Sequence, residues 1–389
     1  MNEDIYALEM PKKTYFGVGA VEKVIEAVKD LNVSNALIIT DKGVINTGLV
    51  DALMKELSST TVKTSIFDEA EPEPTVESIE KAVKYLKEIK DVNFIVAVGG
   101  GSVMDTAKCA NVVAMNGGSI LDYEDDIENP RPIRKLLPLI AVPTTAGTGS
   151  EASIWAVFTD TKRKLKTGTA DPKLIADVAI LDPNMTRTMP PTLTAATGMD
   201  ALTHGIEAYV STYANPITDA FSIQAIKLIA ENLRTAVEDG ENMEARTNMI
   251  LASFMAGSAF SNSSLGIVHT MAEALGGFYR ISHGITNTLI LPHVMDFNLS
   301  ANVEKFMKIA EFMGEDVKGL DVNKASKKSV SAVKKLSRDI RLPQTLREVG
   351  VKREDFPALV EMTFKWANES GNPREVSKKQ LRELYEKAY

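Results

Sequence analysis

The chain has 389 residues, a single cysteine and a formal net charge of −8 at pH 7. This length suggests two domains, and the acidic balance argues against a general nucleic-acid binder. Cys109 has no partner for an internal disulfide, which favours a reducing, cytoplasmic location, and no apolar run is long enough to predict a membrane span.

Short apolar runs rich in β-branched residues predict five strands in the first half of the chain. They lie at residues 36–40, 62–67, 94–98, 139–142 and 178–181. Segments with helical periodicity, such as 76–89, lie between several of them. This alternation predicts βαβ units, and therefore an α/β domain with a largely parallel sheet over residues 1–187.

The pattern changes after Pro190 and Pro191, where strand-like runs disappear. Apolar residues then recur at spacings of three and four, as in Ile223, Ile226, Ala230, Leu233 and Val237. That spacing is typical of an amphipathic helix with one face turned inward. The same signature continues to the end of the chain and predicts an all-α domain over residues 188–389.

A glycine-rich segment directly follows the strand predicted at 94–98. It reads Gly99, Gly100, Gly101 and Ser102, and a helical stretch follows it. Glycines allow close backbone approach, and the free N–H groups of a helix start attract anions. The segment matches neither G-x-G-x-x-G nor the Walker pattern. It predicts a phosphate site, although a tight strand-to-helix turn also needs glycine.

Polar residues follow two other predicted strands. Thr144, Thr145 and Thr148 follow the strand at 139–142, at the carboxyl edge where ligands bind in open α/β sheets. Asp41 ends the strand at 36–40, where an acidic residue binds ribose hydroxyls and favours NAD over NADP. A helix-capping aspartate is the equal alternative. The basic run at 162–166 suits either a phosphate site or, more simply, a solvated turn.

Three of the four histidines fall near one aspartate in the second half of the chain. Asp200 and His204 are four residues apart in a proline-free stretch that predicts a helix, so both lie on one face. His269 and His283 complete a nitrogen and oxygen set suited to a divalent transition metal. Each histidine alone suits the core or the surface; the concentration favours a metal site.

These motifs together resemble the iron-containing (group III) alcohol dehydrogenases, the family of lactaldehyde reductase and 1,3-propanediol dehydrogenase. The resemblance spans nearly the whole chain, through segments 15–20, 40–43, 99–105, 143–151, the metal segments and 371–374. It implies a dehydroquinate synthase-like fold: a dinucleotide-binding α/β domain and a helical domain, with metal and substrate in the cleft between them. It also implies at least a homodimer.

The resemblance assigns roles residue by residue. Asp200, His204, His269 and His283 occupy the metal-ligand positions, with iron(II) expected and zinc possible. The cofactor positions fall on Gly99, Gly100, Gly101, Ser102, Thr144, Thr145 and Thr148, with Asp41 at the ribose of NAD. Phe260 aligns with an aromatic residue near the substrate, and Trp155 is a weaker candidate for the same pocket.

Two positions depart from the family pattern. Glu273 stands where a histidine is common, four residues after His269. Glu273 is a candidate catalytic residue with three possible roles. It carries protons, it tunes the metal without binding it, or it only faces an opposite charge. Glu73 stands where an asparagine is usual, which weakens detailed cofactor predictions. His293 lies outside the ligand set, and we interpret it as structural.

The predicted reaction is reversible hydride transfer between a small primary alcohol or diol and NAD(P), with aldehyde reduction in reverse. Its alternatives on the same fold are a polyol dehydrogenase, a hydroxyacid–oxoacid transhydrogenase and a cyclising lyase. A non-catalytic nucleotide-binding relative is the alternative outside the enzymes. The partners expected are a small alcohol or aldehyde, with no nucleic acid and no membrane.

Overall fold

The structure, a computed structural model, describes residues 5–389. Two compact units make up this part of the chain. One unit is Glu9–Met189, and the other is Pro190–Tyr389 together with residues 5–8. The domains predicted over 1–187 and 188–389 remain our proposal for the division of the chain.

The first unit is built on a six-stranded sheet in which every paired strand is parallel. Its strands are β1 Lys13–Phe16, β2 Asn35–Ile39, β3 Lys63–Phe67, β4 Phe94–Gly99, β5 Leu139–Pro143 and β8 Val178–Leu181. Their order across the sheet is β1-β8-β5-β4-β2-β3. The five predicted strands are confirmed to within one residue at each end.

Helices cover both faces of this sheet. They are α1 Val24–Leu31, α2 Lys42–Asn46, α3 Leu49–Leu57, α4 Val76–Glu88 and α5 Gly101–Asn116. Ile95 of β4 belongs to the core layer that contains Ile79 of α4, whereas the next residue, Val96, belongs to the layer that contains Leu53 of α3. Burial of both faces explains the nearly continuous apolar runs of the strands, and the predicted α/β class is confirmed.

Three strands of the first unit had no sequence prediction. β1 is a short, mostly exposed edge strand, and β6 Trp155–Asp160 pairs antiparallel with β7 Leu165–Ala170 in a separate hairpin. The basic run at 162–166 forms the hairpin turn and the start of β7. Arg163 pairs there with Asp160 and Glu124, so the turn that the sequence favoured is confirmed.

Every regular secondary-structure element among the described residues of the second unit is a helix, as predicted. Its helices are α6 Pro191–Val210, α7 Pro216–Glu238, α8 Met243–Ser261, α9 Ile267–Tyr279, α10 His283–Asn298, α11 Val303–Phe312, α12 Val322–Asp339, α13 Phe356–Ala367 and α14 Lys378–Ala388. Within the predicted stripe of α7, Ile226 and Leu233 are fully buried, whereas Ile223, Ala230 and Val237 lie at its edge. Across residues 5–389, every helix is too short or too polar to cross a membrane.

Candidate metal centre and nucleotide-binding loops

Three helices of the second unit bring the four predicted metal ligands together. Asp200 and His204 lie one turn apart on α6, His269 lies in the first turn of α9, and His283 begins α10. One ligand atom from each residue lies within 4.8 Å of the other three. Asp200, His204 and His269 are buried, and His283 is partly exposed. The arrangement can hold one divalent ion with one oxygen and three nitrogen donors.

Close packing of α10 against α6 places His283 beside Asp200. A Cβ atom added to Gly284 would lie 2.2 Å from the backbone oxygen of Ala196, so only glycine fits there. The His283 Nε2 atom consequently lies 3.7 Å from Asp200 Oδ1. The glycine after the histidine is therefore part of how the sequence forms the site.

Glu207 supports the ligand set from one turn beyond His204, and the sequence analysis did not single it out. Its Oε2 atom lies 2.6 Å from His269 Nδ1, and its Oε1 atom accepts a hydrogen bond from the Val268 N–H. A carboxylate on Nδ1 fixes the imidazole orientation and leaves Nε2 for a metal. The spacing from His204 to Glu207, three residues on one helix, was the available signal.

Asn287 is a second residue that the sequence analysis missed. Its side-chain Nδ2 atom lies 2.7 Å from Asp200 Oδ1, 3.1 Å from His269 Nε2 and 3.2 Å from His283 Nε2. It lies four residues after His283 and thus on the same face of α10. Among the described residues its buried Oδ1 atom has no hydrogen-bond partner. The amide thus contacts three of the four ligands.

Charged neighbours within the cluster shift the pKa values of Asp200 and His269. Burial opposes the charged form of Asp200, but the three histidines outweigh it and lower the pKa of this carboxyl. Burial likewise opposes a charged His269, yet the hydrogen bond and charge of Glu207, with contributions from Asp200 and Glu273, raise its pKa. A dry pocket that concentrates carboxylate charge around imidazoles favours a bound cation.

The two candidate catalytic residues lie beside this cluster. The buried Phe260 ring stacks on the His204 ring, with centroids 4.5 Å apart and planes 28° apart. Glu273 lies one turn after His269 on α9, is half-buried, and acts on the pKa of His269 through its charge. Phe260 supplies an apolar surface at a metal ligand, and Glu273 supplies a carboxylate near another.

Two loops predicted to bind the cofactor lie side by side at the carboxyl edge of the sheet in the first unit. The first is the glycine-rich segment at 99–102, and the second loop carries Thr144, Thr145 and Thr148. Gly100 caps α5 without a side-chain hydrogen bond, so the first N–H groups of this 16-residue helix have no capping side chain. A Cβ atom on Gly100 would lie 3.0 Å from the Thr145 side chain, and one on Gly101 would lie 2.6 Å from Thr148 Cγ2. Thr144 also donates its N–H to Gly99 O. The glycines are needed for this close approach between the loops. The start of α5 therefore lies beside the threonines, and a helix start of this kind suits an anion.

Asp41 lies at the position where the strand order reverses. β2 is paired with β3 on one side and with β4 on the other, so Asp41 follows a strand adjacent to the glycine-bearing β4. Open α/β sheets bind ligands at such a switch point. The Asp41 side chain accepts a hydrogen bond from Val44 N–H and caps α2. This confirms the capping role, while its ribose contact remains a proposal.

Glu73 and Trp155 are two further residues from the sequence analysis. Glu73 contacts Ser102, and Trp155 follows the second loop. Glu73, with a left-handed φ of 53°, donates its backbone N–H to Ser102 Oγ, and its carboxylate pairs with Lys166 Nζ at 2.6 Å. Asparagine adopts this backbone conformation more readily than glutamate. Trp155 begins β6, is partly exposed, and its carbonyl accepts a hydrogen bond from the buried Lys108.

His293 lies ten residues beyond His283 on α10, outside the four-residue cluster. Burial, with Lys334 and Lys387 nearby, lowers its pKa to about 4. It lines a hollow of about 160 Å³ with those two lysines and Arg338. A histidine in this setting stays neutral at pH 7.

Comparison with known proteins indicates the family to which the chain belongs. The family model described as iron-containing alcohol dehydrogenase matches residues 11–183, and the model for the C-terminal part of that family matches residues 194–389. The chain is similar to 1,3-propanediol dehydrogenase of Citrobacter freundii, with 43% identity over 98% of each chain. It is also similar to the NAD-dependent methanol dehydrogenase of Bacillus methanolicus, with 40% identity over 97% of this chain and 98% of that protein.

Among solved structures, a 1,3-propanediol oxidoreductase superimposes with a TM-score of 0.95 at 42% identity, covering 99% of this chain and 100% of the other. The chain therefore belongs to the iron-containing alcohol dehydrogenase family, and it is an oxidoreductase that acts on CH–OH groups.

Proposed function

We propose that the chain catalyses reversible hydride transfer between a small primary alcohol or diol and NAD, with iron(II) or zinc held by Asp200, His204, His269 and His283. The observation that carries the proposal is the convergence of these four side chains within 4.8 Å. The Glu207 carboxylate on His269 Nδ1 supports it, because it directs the other ring nitrogen to the centre of the cluster.

The donor set fits a divalent transition metal, since it combines a carboxylate with three imidazoles in a buried pocket. When bound, such an ion acts as a Lewis acid toward the alcohol oxygen. The stacked Phe260 provides an apolar surface next to His204, which suits a small neutral alcohol better than a charged substrate. Relatives named for 1,3-propanediol and methanol support this substrate size.

The N–H groups at the start of α5, with Thr144, Thr145 and Thr148, are the proposed site of the dinucleotide phosphates. Asp41 would accept the ribose hydroxyls and repel a 2′-phosphate, which favours NAD over NADP. A relative named as NAD-dependent supports this choice. The proposed enzyme is a cytoplasmic homo-oligomer; sedimentation of the purified protein and cell fractionation check these two points.

A panel of short primary alcohols and diols tests the proposal, with NADH or NADPH formation followed on the metal-loaded protein. We expect turnover with at least one alcohol and a higher kcat/KM for NAD than for NADP. Asp41→Asn would reduce that preference. Silence with every alcohol and aldehyde, despite bound metal and NAD, would instead support the transhydrogenase or the non-catalytic relative.

Glu273 is the proposed proton-carrying residue near His269. We expect Glu273→Gln to lower kcat several-fold without changing the bound metal, because the amide keeps the shape but carries no proton. Steady-state kinetics and metal analysis of the same preparations separate the possibilities. An equal loss of metal would make Glu273 a ligand, and unchanged kinetics would remove it from the mechanism.

A further inference from the structure

A buried lysine, Lys108, contacts the backbone of the loop that carries Thr144, Thr145 and Thr148, and it has no role in the proposed reaction above. Lys108 is on α5 and is 1% exposed. Its Nζ atom donates to three backbone carbonyls, at 2.7 Å from Ser150 O, 2.8 Å from Ser153 O and 2.8 Å from Trp155 O. A neutral amine has only two N–H donors, so this arrangement requires the charged ammonium group.

Two acidic side chains surround this ammonium group. Asp105, one turn earlier on α5, accepts a hydrogen bond from Ser150 Oγ at 3.0 Å, and Glu151 is buried in the same loop. Burial raises the pKa of Asp105 to about 6 and that of Glu151 to about 7, although Lys108 opposes both shifts. Burial also lowers the pKa of Lys108 to about 8, against the pull of both acids. The three groups thus form one buried network in which the charge of each affects the pKa of another.

The three carbonyls that Lys108 binds lie within one short stretch of the loop, Ser150 to Trp155, so a single side chain ties this stretch to α5. Ser150 Oγ adds a second link to α5 through its hydrogen bond to Asp105. A buried carbonyl without a donor destabilises the folded loop, and Lys108 donates to three such carbonyls. The opposite end of the loop, at Thr145 and Thr148, rests against Gly100 and Gly101.

We propose that Lys108 is a positioning residue that fixes segment 144–155 against the start of α5 and thereby shapes the dinucleotide site before the cofactor binds. The inference rests on the proposed function, since it assigns the loop to the dinucleotide. Lys108 acts through the backbone of the loop, so its loss should weaken cofactor binding more than it slows turnover at saturating cofactor.

The test compares Lys108→Met with Lys87→Met in the metal-loaded, full-length protein. Methionine keeps most of the unbranched stem of lysine but has no N–H donor, and Lys87 is an exposed lysine on α4. NADH fluorescence titration gives the Kd, and amide hydrogen exchange reports the order of segment 144–155. We expect a Kd raised at least tenfold, exchange of this segment faster by a similar factor, and unchanged metal content. Lys87→Met should match the wild type.

A second variant covers the case in which Lys108→Met does not fold. Asp105→Asn keeps the shape and removes one counter-charge of Lys108, so we expect a Kd raised about two- to fivefold with faster exchange in the same segment. If exchange and NADH affinity are unchanged in folded variants, the positioning role is wrong. If the wild type binds no NADH, the proposed function fails, and hydrogen exchange still decides the role of Lys108.

Discussion

At the scale of single residues, Glu207 has the clearest predicted effect. Its buried carboxylate contacts His269 Nδ1 and the Val268 N–H at once. In Glu207→Gln we expect metal affinity to fall about 10- to 100-fold, because the neutral amide polarises the imidazole less. Metal retained after dialysis against a chelator measures the change. Glu231→Gln, at an exposed position on α7, is the control, and full retention of metal by Glu207→Gln would refute the role.

His293 makes a prediction about acid stability. Its folded-state pKa of about 4 lies below the ordinary histidine value of 6.5, so the unfolded chain binds the proton first as the pH falls. The contribution of His293 to stability is therefore full above pH 6.5 and is lost toward pH 4. Between pH 7 and 5 the wild type should lose about 1–2 kcal/mol more than His293→Gln.

Denaturant midpoints at the two pH values measure that difference. The groups that face His293 are Lys334 on α12, Lys387 on α14 and Asp296 on its own helix; the lysines oppose its protonation and the aspartate favours it. If the stability of the wild type and of His293→Gln falls equally between pH 7 and 5, the pKa of His293 is the same in the folded and unfolded chain. That result would contradict the prediction.

The sequence predicted the four candidate ligands because the chain has only four histidines, three of them lie near one aspartate, and Asp200 and His204 share a helical spacing. It did not single out Glu207 and Asn287, whose roles depend on α9 and α10 packing against α6. Glutamate and asparagine are common on helices, so their identity carries little information until the helices are placed. The role of Lys108 was likewise not predicted, because its three carbonyl partners are distant in the sequence and no local pattern indicates them.

At the scale of elements, the approach of α10 to α6 determines where His283 lies. In Gly284→Ala the new methyl group meets the backbone oxygen of Ala196, which cannot rotate away. The helices must then separate, and we expect at least tenfold weaker metal binding with a stability loss of about 1–3 kcal/mol. Competition with a chromophoric chelator measures the affinity.

Gly205→Ala is the matched control, since Gly205 also follows a ligand histidine. Its added Cβ would lie 3.3 Å from a side-chain atom of Ile226, which can shift. Alanine also favours a helix interior. We expect this variant to bind metal normally; equal affinities in both variants would contradict the packing argument.

The elements that sequence predicts best are those buried on both faces. β2, β4 and β5 show continuous apolar runs and were located closely. β1 was missed because it is a four-residue, largely exposed edge strand, and its pairing with β8 joins residues far apart in sequence. The β6–β7 hairpin was missed because more than half of its strand residues are only partly buried.

At the scale of the whole molecule, the two candidate sites lie in separate compact units. The glycine and threonine loops belong to Glu9–Met189, and the four candidate metal ligands belong to Pro190–Tyr389. Each unit forms its candidate site from its own helices and strands. The change from strand to helix periodicity predicts a division of the chain into residues 1–187 and 188–389, and that division remains a proposal.

The central claim is that alcohol oxidation depends on a metal held by these four side chains. The decisive measurement is NADH formation by protein stripped of metal and reloaded anaerobically with iron(II) or zinc, beside His283→Ala and His293→Ala treated identically. We predict no turnover when stripped, recovery on reloading for the wild type and His293→Ala, and little recovery for His283→Ala. Full turnover by the stripped protein, or by His283→Ala, would contradict the account.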